Sequence, residues 1–243
     1  MQVNPSLSYK LNDQWSVGAG VQFSWAAFEQ STSGFTAKQD TDWTYGYNLG
    51  VMYTPTDKLK LGASYRSKLE HEFKNELKGP LPGSNRSLST DIALPEIVDV
   101  SASYALNQQL DLLASIQFHR WSAWDETVLD FGATDLGGIP IERDWDDVWK
   151  FAVGADYQLN SDWRLKAGFS YETSPQDDPS MQWVDLPVGE QYRYSVGAST
   201  YWDDILIDVF YEYADLGSVE MDRLMVDGSF DGRIHFVGVS ATF

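Results

Sequence analysis

Residues 147–174 read DVWKFAVGADYQLNSDWRLKAGFSYETS and contain two runs in which apolar and polar side chains alternate strictly. In the first run, the apolar positions are Trp149, Phe151, Val153, Ala155, Tyr157 and Leu159. In the second run, they are Trp163, Leu165, Ala167, Phe169 and Tyr171. A period of two predicts β-strands with unlike faces, and the short polar break at 160–162 predicts an antiparallel hairpin.

The two faces of this hairpin differ in a way that bears on the fold class. The polar face carries Lys150, Asp156, Arg164, Lys166 and Glu172, and the apolar face has aromatic residues near both ends. A soluble sandwich normally has shorter strands and fewer charges on an inner face. In a membrane barrel, lipid contacts one face of each strand and a polar interior contacts the other. The hairpin therefore favours an all-β, antiparallel transmembrane β-barrel.

The composition is compatible with this fold and excludes some others. The 243 residues suffice for one large β domain or two small ones. The mean hydropathy is -0.35, and no run approaches the ~20 apolar residues of a transmembrane helix. This excludes a helical membrane protein but not a barrel, whose strands spread their apolar residues over alternate positions.

Charge and cysteine content restrict the possible partners. The net charge of -19 argues against nucleic acid or an anionic membrane surface as a partner. Cysteine is absent, which excludes disulfides, thiol nucleophiles and thiolate metal sites. The start, Met1–Gln2–Val3, lacks the basic and apolar regions of a signal peptide.

Alternation of the same kind predicts about eleven strands along the chain. Their expected positions are 4–10, 14–28, 42–54, 59–73, 92–106, 110–126, 145–159, 163–173, 190–202, 204–215 and 232–243. The predicted connections alternate in length, with short turns between long polar loops at 29–41, 74–91, 127–144, 174–189 and 216–231. Short turns on one side and long loops on the other are typical of an outer-membrane barrel, and a soluble meander would have short connections at both ends.

The order of these connections predicts where the chain lies within a barrel. Strand 14–28 runs towards a long outer loop, so strand 4–10 must descend from outside, and the last strand ends inside. Bacterial single-chain barrels have an even number of strands and both termini on the periplasmic side. An odd count that begins outside predicts that residues 1–243 form a single partial barrel domain, the C-terminal part of a larger barrel.

Several short motifs occur in a fixed order along the chain. They are Asn4–Pro5–Ser6–Leu7–Ser8–Tyr9, Trp15–Ser16–Val17–Gly18–Ala19–Gly20, Tyr65–Arg66–Ser67, Leu94–Pro95–Glu96, Trp121–Ser122–Ala123–Trp124 and Ser174–Pro175. Their order and spacing resemble the FadL/TodX family of outer-membrane transporters of long-chain fatty acids and other hydrophobic compounds. The resemblance implies a fourteen-stranded barrel plugged by a small N-terminal hatch. Eleven strands would be the last eleven, so the hatch and the first three strands are expected to be missing.

The resemblance also implies partners. The terminal Phe243 is similar to the aromatic residue that ends many outer-membrane barrels as an assembly signal. It implies contact with the barrel assembly machinery, and the barrel implies contact with outer-membrane lipid and lipopolysaccharide. The expected ligand is a hydrophobic small molecule, a fatty acid or a hydrocarbon, and no cofactor is implied.

Candidate ligand-binding residues follow from the resemblance and from the strand faces. In the family, a basic residue just before the strand predicted at 145–159 helps to bind the substrate carboxylate, and the resemblance gives this role to Arg143. Lys150 is its predicted companion, and Arg66 and Arg193 are further inward bases that could form a charge-assisted bond. The predicted contacts for an apolar tail are Phe118, Trp121, Trp124, Phe131 and Trp145. The alternatives are an ion-pair network that fills the interior, for the bases, and a girdle at the membrane boundary, for the aromatic residues.

The leading hypothesis is a passive outer-membrane channel for hydrophobic ligands, with two rival functions. A structural or adhesive barrel would have an interior fully crossed by ion pairs and no apolar pocket. An outer-membrane lipase would need a serine and a histidine at hydrogen-bond distance, for which Ser115 and His119 share a face. The acidic clusters at 144–147, 177–178 and 203–204 are interpreted as solvated loop charge, with a loosely held divalent cation as the alternative.

Overall fold

The computed structural model describes residues 1–31, 36–78, 86–124, 126–129, 139–183, 186–223 and 226–242. These residues form sixteen strands: β1 (Gln2–Val3), β2 (Ser6–Lys10), β3 (Trp15–Ser31), β4 (Thr36–Thr56), β5 (Leu59–Arg66), β6 (Leu69–Lys78), β7 (Arg86–Leu94), β8 (Ile97–Ala105), β9 (Leu110–His119), β10 (Glu126–Leu129), β11 (Ile139–Glu142), β12 (Val148–Gln158), β13 (Trp163–Glu172), β14 (Gln191–Trp202), β15 (Ile205–Arg223) and β16 (Val226–Thr242). Within the same ranges, no helix is long and apolar enough to cross a membrane. Phe131 and Phe243 lie outside the described residues.

Most of these strands form one antiparallel sheet, which we call the wall. Its order is β1-β3-β4-β5-β8-β9-β12-β13-β14-β15-β16. β2 pairs with β3 in the same register as β1, and the two are separated only at Asn4 and Pro5, where proline has no N–H to donate. They therefore share one strand position, and the wall has eleven positions. The predicted all-β antiparallel fold is confirmed. Between the described parts of β16 and β1 or β2 no pairing is present, so the sheet is open there.

The two faces of the wall differ as the alternation predicts. Large apolar side chains are exposed along one face, for example Phe151 at 44% and Val153 at 59%. Aromatic pairs lie on this face near both ends of the strands: Phe118–Trp149, Tyr171–Tyr192 and Trp15–Tyr53, with ring centroids 5.0, 5.1 and 4.3 Å apart. An apolar band between two aromatic girdles is the pattern of a surface that meets lipid.

One part of the predicted topology is wrong: the wall does not contain all of the predicted strands at 59–73 and 92–106, and the predicted loop at 74–91 is mostly strand. The chain leaves the wall after Arg66, forms an antiparallel pair of strands, β6 and β7, and rejoins the wall at Ile97. Pro95 cannot donate to a ladder, which helps to separate β7 from β8. We call β6 and β7 the inner hairpin, because β6 lies against the polar face of β3 and β4. Its buried side chains alternate along β6: Leu69, His71, Phe73, Asn75 and Leu77.

Two more of the predicted long loops are largely strand. β3 and β4 continue to Ser31 and Thr36, so 29–41 is mostly a β-hairpin. β15 and β16 pair up to Arg223 and Val226, which replaces the predicted loop at 216–231. Both hairpins contain a register shift, between Phe28 and Gln30 and between Asp215 and Ser218. Backbone pairing continues past the alternation because a ladder outside lipid needs no apolar face.

The polar face of the wall is divided into two regions. From β9 to β15 it carries ion pairs between nearby strands, including Arg164 with Asp156 at 2.6 Å and with Asp111 at 3.0 Å, and Lys166 with Asp208 at 2.5 Å. From β5 to β12 it carries small residues that leave a groove of about 540 Å³: Gly62, Ser101, Ser103, Ser115, Ala152 and Gly154. We call this space the groove. Among the described residues, each ion pair of the wall's polar face joins strands that are one or two positions apart.

Candidate functional site

Three tryptophans lie together where β9 ends and β12 begins. Trp121 begins the 3-10 turn that follows β9, and Trp124 is the first residue after this turn. Trp145 precedes β12. The ring centroid of Trp145 is 5.4 Å from that of Trp121 and 5.2 Å from that of Trp124, and both contacts are edge-to-face. Edge-to-face packing of this kind is favourable for aromatic rings. We call these three residues the tryptophan cluster.

The guanidinium of Arg143 is buried against the tryptophan cluster. Its carbon atom is 5.3 Å from the ring centroid of Trp124 and 5.8 Å from that of Trp145, and the residue is 3% exposed. These are distances at which a cation is attracted to an aromatic ring. The hydroxyl oxygen of Thr127 lies 3.4 Å from Nε and from Nη2 of Arg143. The structure therefore brings together four residues that the sequence analysis selected: the three tryptophans, whose rings are apolar, and Arg143, which is a cation.

The loop between β13 and β14 holds the backbone beside this arginine. The side-chain nitrogen of Gln176 donates to the carbonyl oxygens of Arg143 at 3.2 Å and Asp144 at 2.7 Å. Trp183 donates its indole N–H to the carbonyl oxygen of Glu142 at 2.9 Å. Asp144 has a positive φ of 48°, a conformation that needs such support from its surroundings. The segment that carries Arg143 is thus held in place by the loop between β13 and β14.

The inner hairpin closes the other side of the cluster. Ala93 is 2% exposed and packs with Trp124 and Trp145, and Ile92 packs against the same group. The indole N–H of Trp124 is buried and has no hydrogen-bond partner among the described residues. Burial raises the pKa of Asp91 on β7, and the nearby carboxylate of Glu70 acts in the same direction. The candidate site is therefore closed and is covered by residues that lie outside the wall.

Lys150 lies on the polar face of β12, below the tryptophan cluster. Its ammonium is 3.6 Å from the carboxylate of Glu172, and its registered partner on β9 is Gln117. Two residues before it, Val148 is 1% exposed at the start of the same strand. Lys150 thus occupies the part of the polar face that follows the cluster towards the groove.

The other predicted site residues lie elsewhere. Arg193 donates to Glu212 at 3.0 Å on β14 and β15, and it belongs to the ion pairs of the wall. Arg66 is exposed at the end of β5 and has no ion-pair partner within the described part of the chain. Phe118 packs on Trp149 on the lipid-facing side, which is the girdle position given above as its alternative. None of the three reaches the tryptophan cluster.

Comparison with known proteins identifies the family. The profile of a family described as outer membrane protein transport protein (OMPP1/FadL/TodX) matches residues 1–241. The chain belongs to the OMPP1/FadL/TodX family. It is 20% identical to the long-chain fatty acid transport protein of Escherichia coli K12 over 299 residues, which cover 100% of the chain and 66% of that relative. The chain spans 66% of the length of this relative and 38% of that of an outer membrane protein P1 of Haemophilus influenzae.

Solved structures of similar proteins share the fold. The crystal structure of a FadL homologue of Pseudomonas aeruginosa has a TM-score of 0.76 and 21% identity, and the match covers 99% of this chain and 65% of that one. The toluene transporter TodX of P. putida has a TM-score of 0.66 and 16% identity, over 99% of this chain and 67% of that one. The wall of this family member is therefore built like part of an outer-membrane barrel, and the protein is located in the outer membrane.

The serine and histidine considered for a lipase do not meet in this family member. The Nε2 atom of His119 lies 3.2 Å from the side-chain oxygen of Gln117 instead. A serine–histidine–aspartate chain does occur elsewhere: Ser24 Oγ is 3.0 Å from His71 Nε2, and Asp42 Oδ2 is 3.1 Å from His71 Nδ1. Sequence reasoning missed it because His71 was placed in the wall, although the alternation of LEHEFKNELK at 69–78 extends through the residues taken as a loop.

The geometry around Ser24 does not support catalysis. An acyl-transfer site needs backbone N–H groups for the oxyanion, often from the residue after the nucleophile. The N–H of Trp25 is already donated to the carbonyl oxygen of Met1 at 2.8 Å. Ser24 is 6% exposed beneath β6, the strand that carries His71. Uncovering Ser24 for a substrate would remove the histidine from it. Among the described residues there is also no group of three His, Asp or Glu side chains that could hold a metal ion.

Proposed function

We propose that the chain forms part of a passive outer-membrane channel for fatty acids or other hydrophobic compounds. The observation that carries the proposal is the tryptophan cluster around Arg143. Three apolar rings beside one buried cation suit a molecule with an apolar body and an anionic end, because apolar contact and a charge-assisted hydrogen bond can then be made together. The proposed binding residues are Trp121, Trp124, Trp145 and Arg143, with Lys150 as a second cation on the way to the groove.

The relatives agree with this proposal at the level of ligand class. Curated relatives are named long-chain fatty acid transport proteins, and a solved structure is titled a toluene transporter. Both names describe hydrophobic compounds, and only fatty acids carry a carboxylate that Arg143 could bind. Contacts with lipid, lipopolysaccharide and the barrel assembly machinery remain part of the proposal.

The groove supports a channel over a purely structural or adhesive barrel. A structural barrel would have ion pairs across its interior, which would hold opposite sides together. In the described residues, the wall's polar-face ion pairs connect nearby strands instead, and small side chains leave about 540 Å³ beside them. β9 and β12 line the groove and also carry the tryptophan cluster at their ends, so the proposed binding site and the groove lie on the same strands.

A binding assay tests the proposal with two matched variants. Titration of the full-length protein with a labelled long-chain fatty acid should give saturable binding. A hydrogen bond to a charged group contributes about 1.5–3 kcal/mol, so Arg143→Ala should weaken binding by about ten- to a hundredfold. Arg66→Ala removes a cation outside the cluster and should change binding less than about twofold.

Two outcomes would count against the proposal. Absence of saturable binding by the unmodified protein would argue against the channel for fatty acids. An equal loss of affinity in Arg143→Ala and Arg66→Ala would show that the net charge of the polar face, and not the cluster, attracts the ligand. Toluene carries no charge, so its binding should be the same in both variants.

A further inference from the structure

We infer that the inner hairpin is a lid over the tryptophan cluster and that Ser24, His71 and Asp42 form the latch that holds it shut. The lid is the pair of strands β6 (Leu69–Lys78) and β7 (Arg86–Leu94). The latch and the movement of the lid are inferred from contacts within the protein that do not involve any ligand. The purpose of the movement, access of a hydrophobic compound to Arg143, rests on the proposed function.

The lid is attached to the wall by little backbone pairing. Among the residues that the structure describes, only Thr36 with Lys78 and Ala37 with Leu77 are registered partners between β4 and β6. Further along, carboxylates take the place of ladder carbonyls. Asp40 Oδ2 accepts a hydrogen bond from the backbone N–H of Lys74 at 2.7 Å. It is the shorter of two hydrogen bonds along β6 in which a carboxylate of β4 accepts from a backbone N–H. A strand held mainly through side chains can separate from its neighbour without breaking a continuous ladder.

The latch is a buried polar contact between β6 and the polar face of β3 and β4, and we call this region of contact the seat. His71 is 3% exposed and lies between the hydroxyl of Ser24 at 3.0 Å and the carboxylate of Asp42 at 3.1 Å. Asp42 Oδ2 also lies 3.4 Å from the backbone N–H of Glu72. One histidine thus connects β6 to β3 and β4 at the same point.

The rest of the seat is partly polar and partly apolar, since Leu69, Phe73 and Leu77 are buried along β6 beside His71 and Asn75. Asn75 is 1% exposed and donates to the carbonyl oxygens of Phe28 at 2.9 Å and Lys38 at 2.7 Å, while its own side-chain oxygen has no partner in the described part of the chain. Water can replace each of these bonds when the hairpin lifts, and it would satisfy the unpaired oxygen as well. The ring contact of Phe73 with Phe28, at 5.6 Å, is an apolar part of the same seat. The lid is thus held by polar contacts that water can replace and by the apolar contacts of Phe73 and Leu77, which favour the closed state.

The connections of the lid are suited to a hinge. The chain leaves the wall at Ser67 and Lys68 and returns at Pro95 and Glu96, outside all strands. At the first connection the lid passes close to β4 at Gly46. A Cβ atom on Gly46 would lie 2.6 Å from Ser67 Oγ and 2.7 Å from a methyl group of Leu69. The absence of a side chain at this position lets the hairpin lie flat on the wall.

Opening of the lid would uncover the candidate site. Ala93 and Ile92 on β7 cover Trp124 and Trp145, and these are lid residues in contact with the cluster. Their removal would uncover one side of the rings next to Arg143, while Val188, before β14, would remain packed against the cluster. The hairpin that pairs weakly with the wall is therefore also the element that closes the candidate site.

The absence of cysteine allows a direct test of the movement. Ala93→Cys places a thiol on the lid itself, on the side that is buried against the tryptophan cluster at 2% exposure, and Ala214→Cys places one on β15, away from the lid, at 0% exposure. Labelling of each folded protein with a thiol reagent should be faster at position 93. Adding Asp42→Asn, which removes the carboxylate of the latch, should accelerate labelling at position 93 about tenfold, the factor for loss of one hydrogen bond to a charged group. His71→Ala should do the same.

The two cysteine positions separate opening from unfolding. Acceleration at position 93 alone supports the lid. Equal acceleration at both positions in Asp42→Asn and in His71→Ala, or no acceleration at position 93 in either, would overturn it. The result does not depend on whether any ligand binds, so failure of the lid and failure of the proposed function can be told apart.

A disulfide tests what the opening is for. Ala37 and Leu77 are registered partners, and the spacing of about 4.5–5.5 Å between such Cα atoms suits a disulfide. In a protein with Ala37→Cys and Leu77→Cys, oxidation should slow fatty-acid binding at least about tenfold, and reduction should restore it. Ala155→Cys with Ala167→Cys, a registered pair within the wall, is the control that should show no redox effect. Equal binding rates in the oxidised and reduced lid variant would exclude the lid as the entry to the site.

Discussion

Val153 offers the most direct test of which face of the wall meets lipid. Its side chain is 59% exposed and lies at the middle of β12, four residues from Trp149 and four from Tyr157. At about 3.4 Å per residue and a tilt of about 45°, four residues correspond to roughly 10 Å of depth, which places Val153 near the bilayer midplane. Arginine on the lipid face at the midplane costs about 2–4 kcal/mol, so Val153→Arg should lower the free energy of unfolding by that amount.

Urea-induced unfolding of the full-length protein from phosphatidylcholine vesicles, followed by tryptophan fluorescence, measures this loss. Ala152→Arg is the matched control, because Ala152 is the adjacent residue on the opposite face and lines the groove. There the guanidinium points away from lipid into the open space of the groove, and the loss should be below about 1 kcal/mol. Equal losses in the two variants would refute the assignment of the faces.

Two further predictions concern the polar face and a turn, and both use the same unfolding measurement. Asp111 and Asp156 are registered partners that share Arg164. Arg164→Leu leaves their like charges opposed and should lower the free energy of unfolding by about 1–2 kcal/mol, and adding Asp111→Asn and Asp156→Asn should recover most of this loss. Losses of the single variants that simply add in the combined variant would contradict this explanation. Gly217 has a φ of 77°, and a Cβ atom added to it would lie 2.6 Å from a backbone carbonyl oxygen. Gly217→Ala should therefore lower the free energy of unfolding by about 1–3 kcal/mol. Gly228→Ala is the control, because its Cβ would meet open space, and it should change the free energy of unfolding by less than about 0.5 kcal/mol.

The wall could be predicted from sequence because lipid imposes a simple rule on it. A residue such as Phe151 must face lipid and its neighbour Ala152 must face the interior, so the period of two is visible without any knowledge of partners. The short turns were visible for a similar reason, since 160–162 interrupts the alternation with polar residues. These features predicted eleven wall positions, and the structure has eleven.

The inner hairpin could not be predicted in the same way. β6 alternates as regularly as a wall strand, from Leu69 to Leu77, so the pattern alone does not show which surface buries it. The partners of His71 and Asn75 are 29 to 47 residues away in sequence and lie on the polar face of other strands. Alternation specifies that a strand has two faces, and only the three-dimensional pairing specifies what each face contacts.

The candidate site shows the same division. Trp121, Trp124 and Arg143 were selected from a resemblance and from residue type, and the structure brings them together because β9 and β12 are neighbours in the wall. The cover over them, Ala93, has no chemical feature that a sequence could reveal. A site of this kind joins residues placed by the wall with residues placed by an insertion that has left the wall. Among the described residues, the insertion has registered backbone partners in the wall only at Thr36 and Ala37, so a change in the insertion can alter the cover of the site without altering the ladder of the wall.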